Sequence, residues 1–191
     1  MALTTLDPIT ALIVVDLQKG LIGSTFIDPI EEIVTRACSL VTAFRRRHLP
    51  IALVNVDGVA PGRTERPRHS GQFPDGWTDL LPELGRQGDD IVVTKRTWGA
   101  FASTDLENEL RARGVTQVVI AGVATGTGVE STARQAYEAG FNVTLAIDAM
   151  TDARPNAHDY SMANVFPRLG ETGSTQAIID LLERTTAHEL A

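Results

Sequence analysis

Short unbroken apolar runs alternate with amphipathic stretches along this chain, and that alternation narrows the possible folds more than any other feature. Ala11–Val15 (ALIVV), Ile51–Val56 (IALVNV), Ile91–Thr94, Gln117–Ala121 and Asn142–Ile147 read as five strands. A strand with one face in water alternates apolar and polar residues. An unbroken run suits a strand covered on both faces, which is the environment inside a parallel sheet.

The stretches between the runs carry helix punctuation. Asp28-Pro29-Ile30-Glu31 offers an N-cap, a proline at the first helical position and a glutamate to close a capping box. It predicts a helix to about Arg47. Thr104-Asp105-Leu106-Glu107 is a second such box, and its helix stops at Gly114. A further helix spans about Gly128 to Ala139 and closes at Gly140, with others near Asn156–Val165 and Ser174–Thr186. Strand and helix repeating in this order predict a three-layer α/β fold. It is a doubly wound parallel sheet with helices on both faces, in a single domain over residues 1–191. Such sheets bind ligands at the carboxyl ends of their strands.

Composition bounds the function. With 191 residues, 43% of them hydrophobic, the chain can bury a sizeable core. Its 17 basic and 24 acidic residues give a formal charge of -7, which argues against nucleic acid or an anionic membrane as a general partner. The N-terminus MALTTLDPIT lacks the basic region of a secretory signal, and Ala11–Val15 is too short to span a bilayer. A cytoplasmic location is the expectation. The single cysteine, Cys38, excludes an intramolecular disulfide and reads as a small buried helix residue. The histidines His48, His69, His158 and His188 are scattered without metal-ligand spacing, so neither a metal nor a cofactor is expected.

Three polar features fall at strand ends. Asp16 ends the first run, Lys95 follows the third, and a Gly- and Thr-rich turn, Gly122–Gly128, follows the fourth. The predicted topology brings all three to one rim, although they are far apart in sequence. Taken singly, each has an ordinary explanation. Asp16 fits a turn cap or ion pair, Lys95 a surface lysine, and the turn a tight connection whose glycines serve positive φ. The turn lacks the spacing of a dinucleotide site and has no Walker lysine. If Asp16 and Lys95 meet, each favours the charged form of the other, whereas burial opposes both. Ser131 reads as a helix-surface residue. The segment Asp57 to Trp77 holds three Pro, four Gly, three Arg and one His, with little periodicity, and reads as a functional or irregular loop.

Together these segments resemble the isochorismatase-like, or cysteine hydrolase, superfamily. The resemblance is carried by ALIVVDLQKG, by VVTKRTWGAFASTDL around Lys95, and by VVIAGVATGTGVESTARQAYEAGFNVTLAIDAM, and it extends to VFPRLGETGST. It covers nearly the whole chain, least in 57–77. It implies a parallel sheet of about six strands and homodimers or homotetramers. It also implies a catalytic triad of Asp, Lys and Cys. Asp16 matches the catalytic acid/base, Gln18 its usual neighbour, and Lys95 the triad lysine. Gly122-Val123-Ala124-Thr125 matches a turn with a cis peptide before Ala124, whose backbone N–H groups at Ala124 and Gly128 would form an oxyanion hole. The triad cysteine maps onto Gly128, and Gly99 replaces a frequent serine.

The resemblance therefore implies a family member without the nucleophilic cysteine. True isochorismatases are similar in having Gly at that position. They hydrolyse a vinyl ether by general acid catalysis, which needs no covalent intermediate. The expected activity is that of a hydrolase of a small, anionic molecule, using Asp16 and Lys95. Gln18, Phe26, Trp98, Val123 and Thr127 are the expected substrate contacts, with Phe73 as a further apolar wall. Arg63, Arg66, Arg68 and His69 are candidate carboxylate partners if the loop folds over the pocket; a solvated loop is the alternative. Two other functions remain open at this stage. One is a binding or assembly protein that has kept the pocket without the chemistry. The other is a cysteine hydrolase working through Cys38.

Overall fold

The computed structural model describes residues 3–66 and 72–189, with side chains described as far as Arg184. Six strands form one parallel sheet: β1 (Thr10–Val15), β2 (Ile51–Val56), β3 (Ile91–Lys95), β4 (Gln117–Val123), β5 (Asn142–Thr151) and β6 (Glu171–Gly173). Their order across the sheet is β3-β2-β1-β4-β5-β6. The helices are α1 (Lys19–Ile22), α2 (Ile30–Arg46), α3 (Leu106–Ala112), α4 (Glu130–Glu138), α5 (Pro155–Tyr160), α6 (Phe166–Leu169) and α7 (Thr175–Glu189).

The unbroken apolar runs have the physical cause expected of them. Side chains of a strand alternate between faces. In β1, Ala11, Ile13 and Val15 pack with Leu106 and Leu110 of α3, Ala133 and Ala136 of α4, and Phe166 of α6. Leu12 and Val14 point the other way, into Ala37, Leu40 and Phe44 of α2 and Ile178 and Leu182 of α7. Both faces are covered from Ala11 to Val15, and the one polar residue of the strand, Thr10, is buried with its hydroxyl donating to Asp7 O. The doubly wound α/β sandwich follows from that coverage.

Several local expectations changed. Asp28 does not cap α2, which starts at Ile30 with no side-chain cap. Its carboxylate instead accepts a hydrogen bond from Thr151 Oγ1 at 2.8 Å, tying the start of α2 to the end of β5. Asp105 does not cap α3 either. Thr104 Oγ1 donates to Ala100 O at 2.6 Å and lies 3.4 Å from Leu106 N. The helix expected from Gly128 begins as a wide π-type turn, Thr125–Val129, before α4 starts at Glu130. β5 runs on to Thr151, and the short β6 closes the sheet. Gly114 and Gly140, at φ +72° and +81°, end their helices as predicted. The described parts of 57–77 contain neither helix nor strand. Among the described residues no helix is long and apolar enough to cross a membrane.

The chain winds outward from β1 through β2 to β3, then returns to place β4 against the other side of β1. The crevice at this reversal lies at the carboxyl ends of β1 and β4. Gly122 makes the close approach there possible. It has φ +114°, and a β-carbon on it would fall 2.0 Å from Val15 O. Neither the conformation nor the contact tolerates a side chain. Gly122→Ala is expected to destabilise the protein by about 3 kcal/mol. Urea unfolding of both proteins measures this, and a shift below about 1 kcal/mol would show that the strand ends can separate freely.

Candidate functional site

Asp16 stands at the carboxyl end of β1 with φ +55°, a turned-out conformation that Asp tolerates better than most residues. Its N–H donates to Val54 O, and its carbonyl accepts from Gln18 N. Lys95 ends β3, two strands away, a separation of about 10 Å. Its long stem crosses the end of β2, and Nζ donates to Asp16 Oδ2 at 2.7 Å. Nζ also donates to Thr97 O at 3.3 Å. The two side chains are only 2% and 6% exposed, Lys95 and Asp16 respectively. Asp16 Oδ1 is buried and accepts no hydrogen bond. Burial pushes the Asp16 carboxyl up to about 6, against the opposing pull of the Lys95 charge and hydrogen bond. The sequence left that contest open, and desolvation wins it.

The turn after β4 faces this pair. The Val123–Ala124 peptide is cis, as the resemblance implied. Ala124 O accepts from Thr127 N and Val129 N, closing the wide turn. A β-carbon at Gly128 would lie 3.1 Å from Asp16 Oδ2 and 3.0 Å from Val123 O. Residue 128 is therefore the wall directly opposite the carboxylate. Two residues that sequence reasoning missed hold the turn from behind. Buried Asp152 accepts Gly126 N at 2.8 Å through Oδ2, and His158 Nδ1 lies 2.9 Å from Thr125 Oγ1. Asp152 is a carboxylate just past a strand, the same signal that identified Asp16. No local pattern marks His158.

A cavity of about 320 Å³ opens over the pair. The expected residues Asp16, Lys95, Phe26, Trp98, Val123, Ala124, Thr127 and Gly128 all line it. Phe73 and Trp77 also line it, stacked with ring centroids 3.8 Å apart. Gln18, expected at the substrate, is absent from this lining. It is fully buried, and its amide is spent on backbone. Nε2 donates to Val56 O and Trp77 O, and Oε1 accepts Val56 N. Gln18 builds the wall from behind.

Arg63 and Arg66 are exposed and do not line the cavity; Arg68 and His69 lie outside the described residues. Cys38 is half-buried on α2 rather than buried, and its Sγ donates to Glu83 O. Burial and Glu83 push its thiol up, away from an activated thiolate, and it does not line the cavity. Ser131 is half-buried in the first turn of α4. A β-carbon at Gly99 would meet the Gln135 amide at 2.2 Å, so the backbone after Lys95 lies flat against α4. Among the described residues, no group of three or more His, Cys, Asp or Glu is placed to hold a metal ion.

The comparisons with known proteins agree with this geometry. The family model described as "Isochorismatase domain" matches residues 10–177. The chain is 39% identical to the uncharacterized isochorismatase family protein YwoC of Bacillus subtilis over 90% of this chain and 93% of that one. It is 29% identical to Nicotinamidase 3 of Arabidopsis thaliana, over 82% of this chain and 80% of that one. The solved structure of an isochorismatase family protein from Burkholderia thailandensis superposes with a TM-score of 0.90 at 36% identity, covering 94% of this chain and 98% of that one. With the sheet order, the cis peptide and the Asp16–Lys95 pair already in place, these matches show that the chain belongs to the isochorismatase family of hydrolases.

Proposed function

We propose that this protein hydrolyses a small molecule by Asp16/Lys95 acid–base chemistry, with no covalent cysteine intermediate. The bond broken is a vinyl-ether-type C–O bond. One observation carries the reading. A β-carbon at Gly128 would lie 3.1 Å from the Asp16 carboxylate, so this turn position bears no side chain, and the chain's single cysteine sits elsewhere with its thiol pushed up. A thioester route has no nucleophile here, whereas a general acid has what it needs.

The chemistry balances without further reagents. Asp16, protonated, delivers its proton to the enol carbon and leaves an oxocarbenium ion. Water adds to the adjacent carbon, the one that bears the ether oxygen, and the proton it loses restores Asp16. The hemiketal then collapses to a ketone and an alcohol. With Asp16 near 6, roughly one site in ten carries the proton at pH 7. Lys95 holds Oδ2, so the proton belongs on the unpartnered Oδ1. Backbone N–H groups of Ala124 and Gly128 are assigned to developing negative charge on oxygen, with Phe26, Trp98, Val123 and Thr127 against the substrate. Gly128 equally supports a second reading, a binding protein that kept this pocket and lost turnover. The sequence supports a cytoplasmic location and a homo-oligomer as parts of the same proposal.

Turnover decides between the readings. Ketone release from a panel of charged and uncharged enol ethers is expected, for any member that is turned over, to fall by about 10²–10⁴-fold in Asp16→Asn. Cys38→Ala is expected to match the parent. Equal rates in the parent and Asp16→Asn would sink the hydrolase reading, and tight ligand binding without turnover would favour the second.

The pH profile tests the direction of proton transfer. The active acid is the protonated form of a group raised to about 6. kcat/KM is therefore expected to be flat below pH 6 and to fall tenfold per unit above it. A rate that instead rises through pH 6 would make Asp16 a base.

A further inference from the structure

We propose that the cavity takes an uncharged molecule with a flat apolar body, and rejects anions. This rests on the reading that the cavity over Asp16 and Lys95 is the substrate site. It reverses the anionic substrate expected from the sequence.

Among the described lining residues, the charged groups are Asp16 and Lys95, and at pH 7.5, where most of Asp16 is ionised, they neutralise each other at 2.7 Å. The Lys95 ammonium also gives a hydrogen bond to Thr97 O, so one of its three N–H groups is left for a ligand. Two arginines flank lining residues in sequence, and both are turned to carboxylates of their own. Arg96 meets Asp57 through two hydrogen bonds, 2.9 and 3.1 Å long. Arg154 meets Asp152 at 3.3 Å. Neither lines the cavity. A carboxylate entering this space would leave water without gaining a free cation, and would sit beside Asp16.

The walls suit the opposite kind of ligand. Phe26, Val59, Phe73, Trp77 and Trp98 are among its apolar lining residues. Trp77 is held on both faces and by its backbone. A β-carbon at Gly20 would fall 2.2 Å from its ring, Phe73 stacks on it, and Gln18 Nε2 holds its carbonyl. A wall fixed this way loses little entropy when a flat ligand arrives. The polar groups on offer are neutral: the hydroxyls of Ser24 and Thr127 and the backbone of the turn. They match a carbonyl, amide or ether oxygen.

Benzamide and benzoate test this directly, because they share shape and differ in charge. Titration calorimetry on the full chain at pH 7.5 is expected to show benzamide binding at least about tenfold more tightly. Asp16→Asn removes the carboxylate and leaves Lys95 charged, so it is expected to raise benzoate affinity and shrink or invert that ratio. Circular dichroism confirms that the variant is folded. Phe26→Ala is expected to weaken benzamide. Three results would overturn the proposal: benzoate binding as well as benzamide, a benzoate preference that disappears in Arg68→Ala, or binding of neither compound at millimolar concentration. None of these readouts depends on turnover. Benzamide binding with no enol-ether hydrolysis would remove the hydrolase reading and leave this one standing. Asp16-dependent turnover together with a benzoate preference would do the reverse.

Discussion

Two opposite charges buried across the width of a strand organise this molecule. Lys95 reaches Asp16 only because β3, β2 and β1 are adjacent and end together, so that a lysine stem can cross the end of β2. Burying either charge alone would be prohibitive, and burying the pair is tolerated because the two are in direct contact. The compensation is incomplete. Asp16 keeps one oxygen unpartnered, and its proton affinity is raised even beside a cation. Under the proposed function, that shortfall is what lets a carboxyl held in an ion pair also serve as an acid.

Much of the layered fold was legible because burial on both faces writes itself into every position of a strand. Ala11 to Val15 could not be anything but covered. The ends were less legible because local and long-range hydrogen bonds compete there. Asp28 has the sequence of a cap, yet Thr151, 123 positions away, takes its carboxylate. Strand β6 is three residues long, too short to leave a periodic signal, and only resemblance implied it.

The site divides along the same line. Asp16, Lys95 and the turn were visible because charge or glycine at the end of an apolar run is costly and so conspicuous. Gln18 was assigned to the wrong side of the wall, since a sequence cannot say that both ends of an amide are already spent on Val56 and Trp77. Trp77 was visible only as the end of a loop. It becomes a wall through Gly20, whose missing side chain lets the indole lie flat.

The irregularity in β5 has a consequence for how such a site is encoded. Between Ile120 and Gly122, β4 advances two residues, while its partner positions on β5 advance five, from Leu145 to Met150. The extra length carries Asp152 to Gly126 and sets the start of α5, which brings His158 to Thr125. Removing one residue from that stretch would draw the anchors back by about 3.3 Å. The turn would come untied although every group lining the cavity kept its identity. The site is thus specified partly by the spelling of its walls and partly by a count of residues in a neighbouring strand. Relatives that share the first and differ in the second would present the same side chains on a differently set backbone.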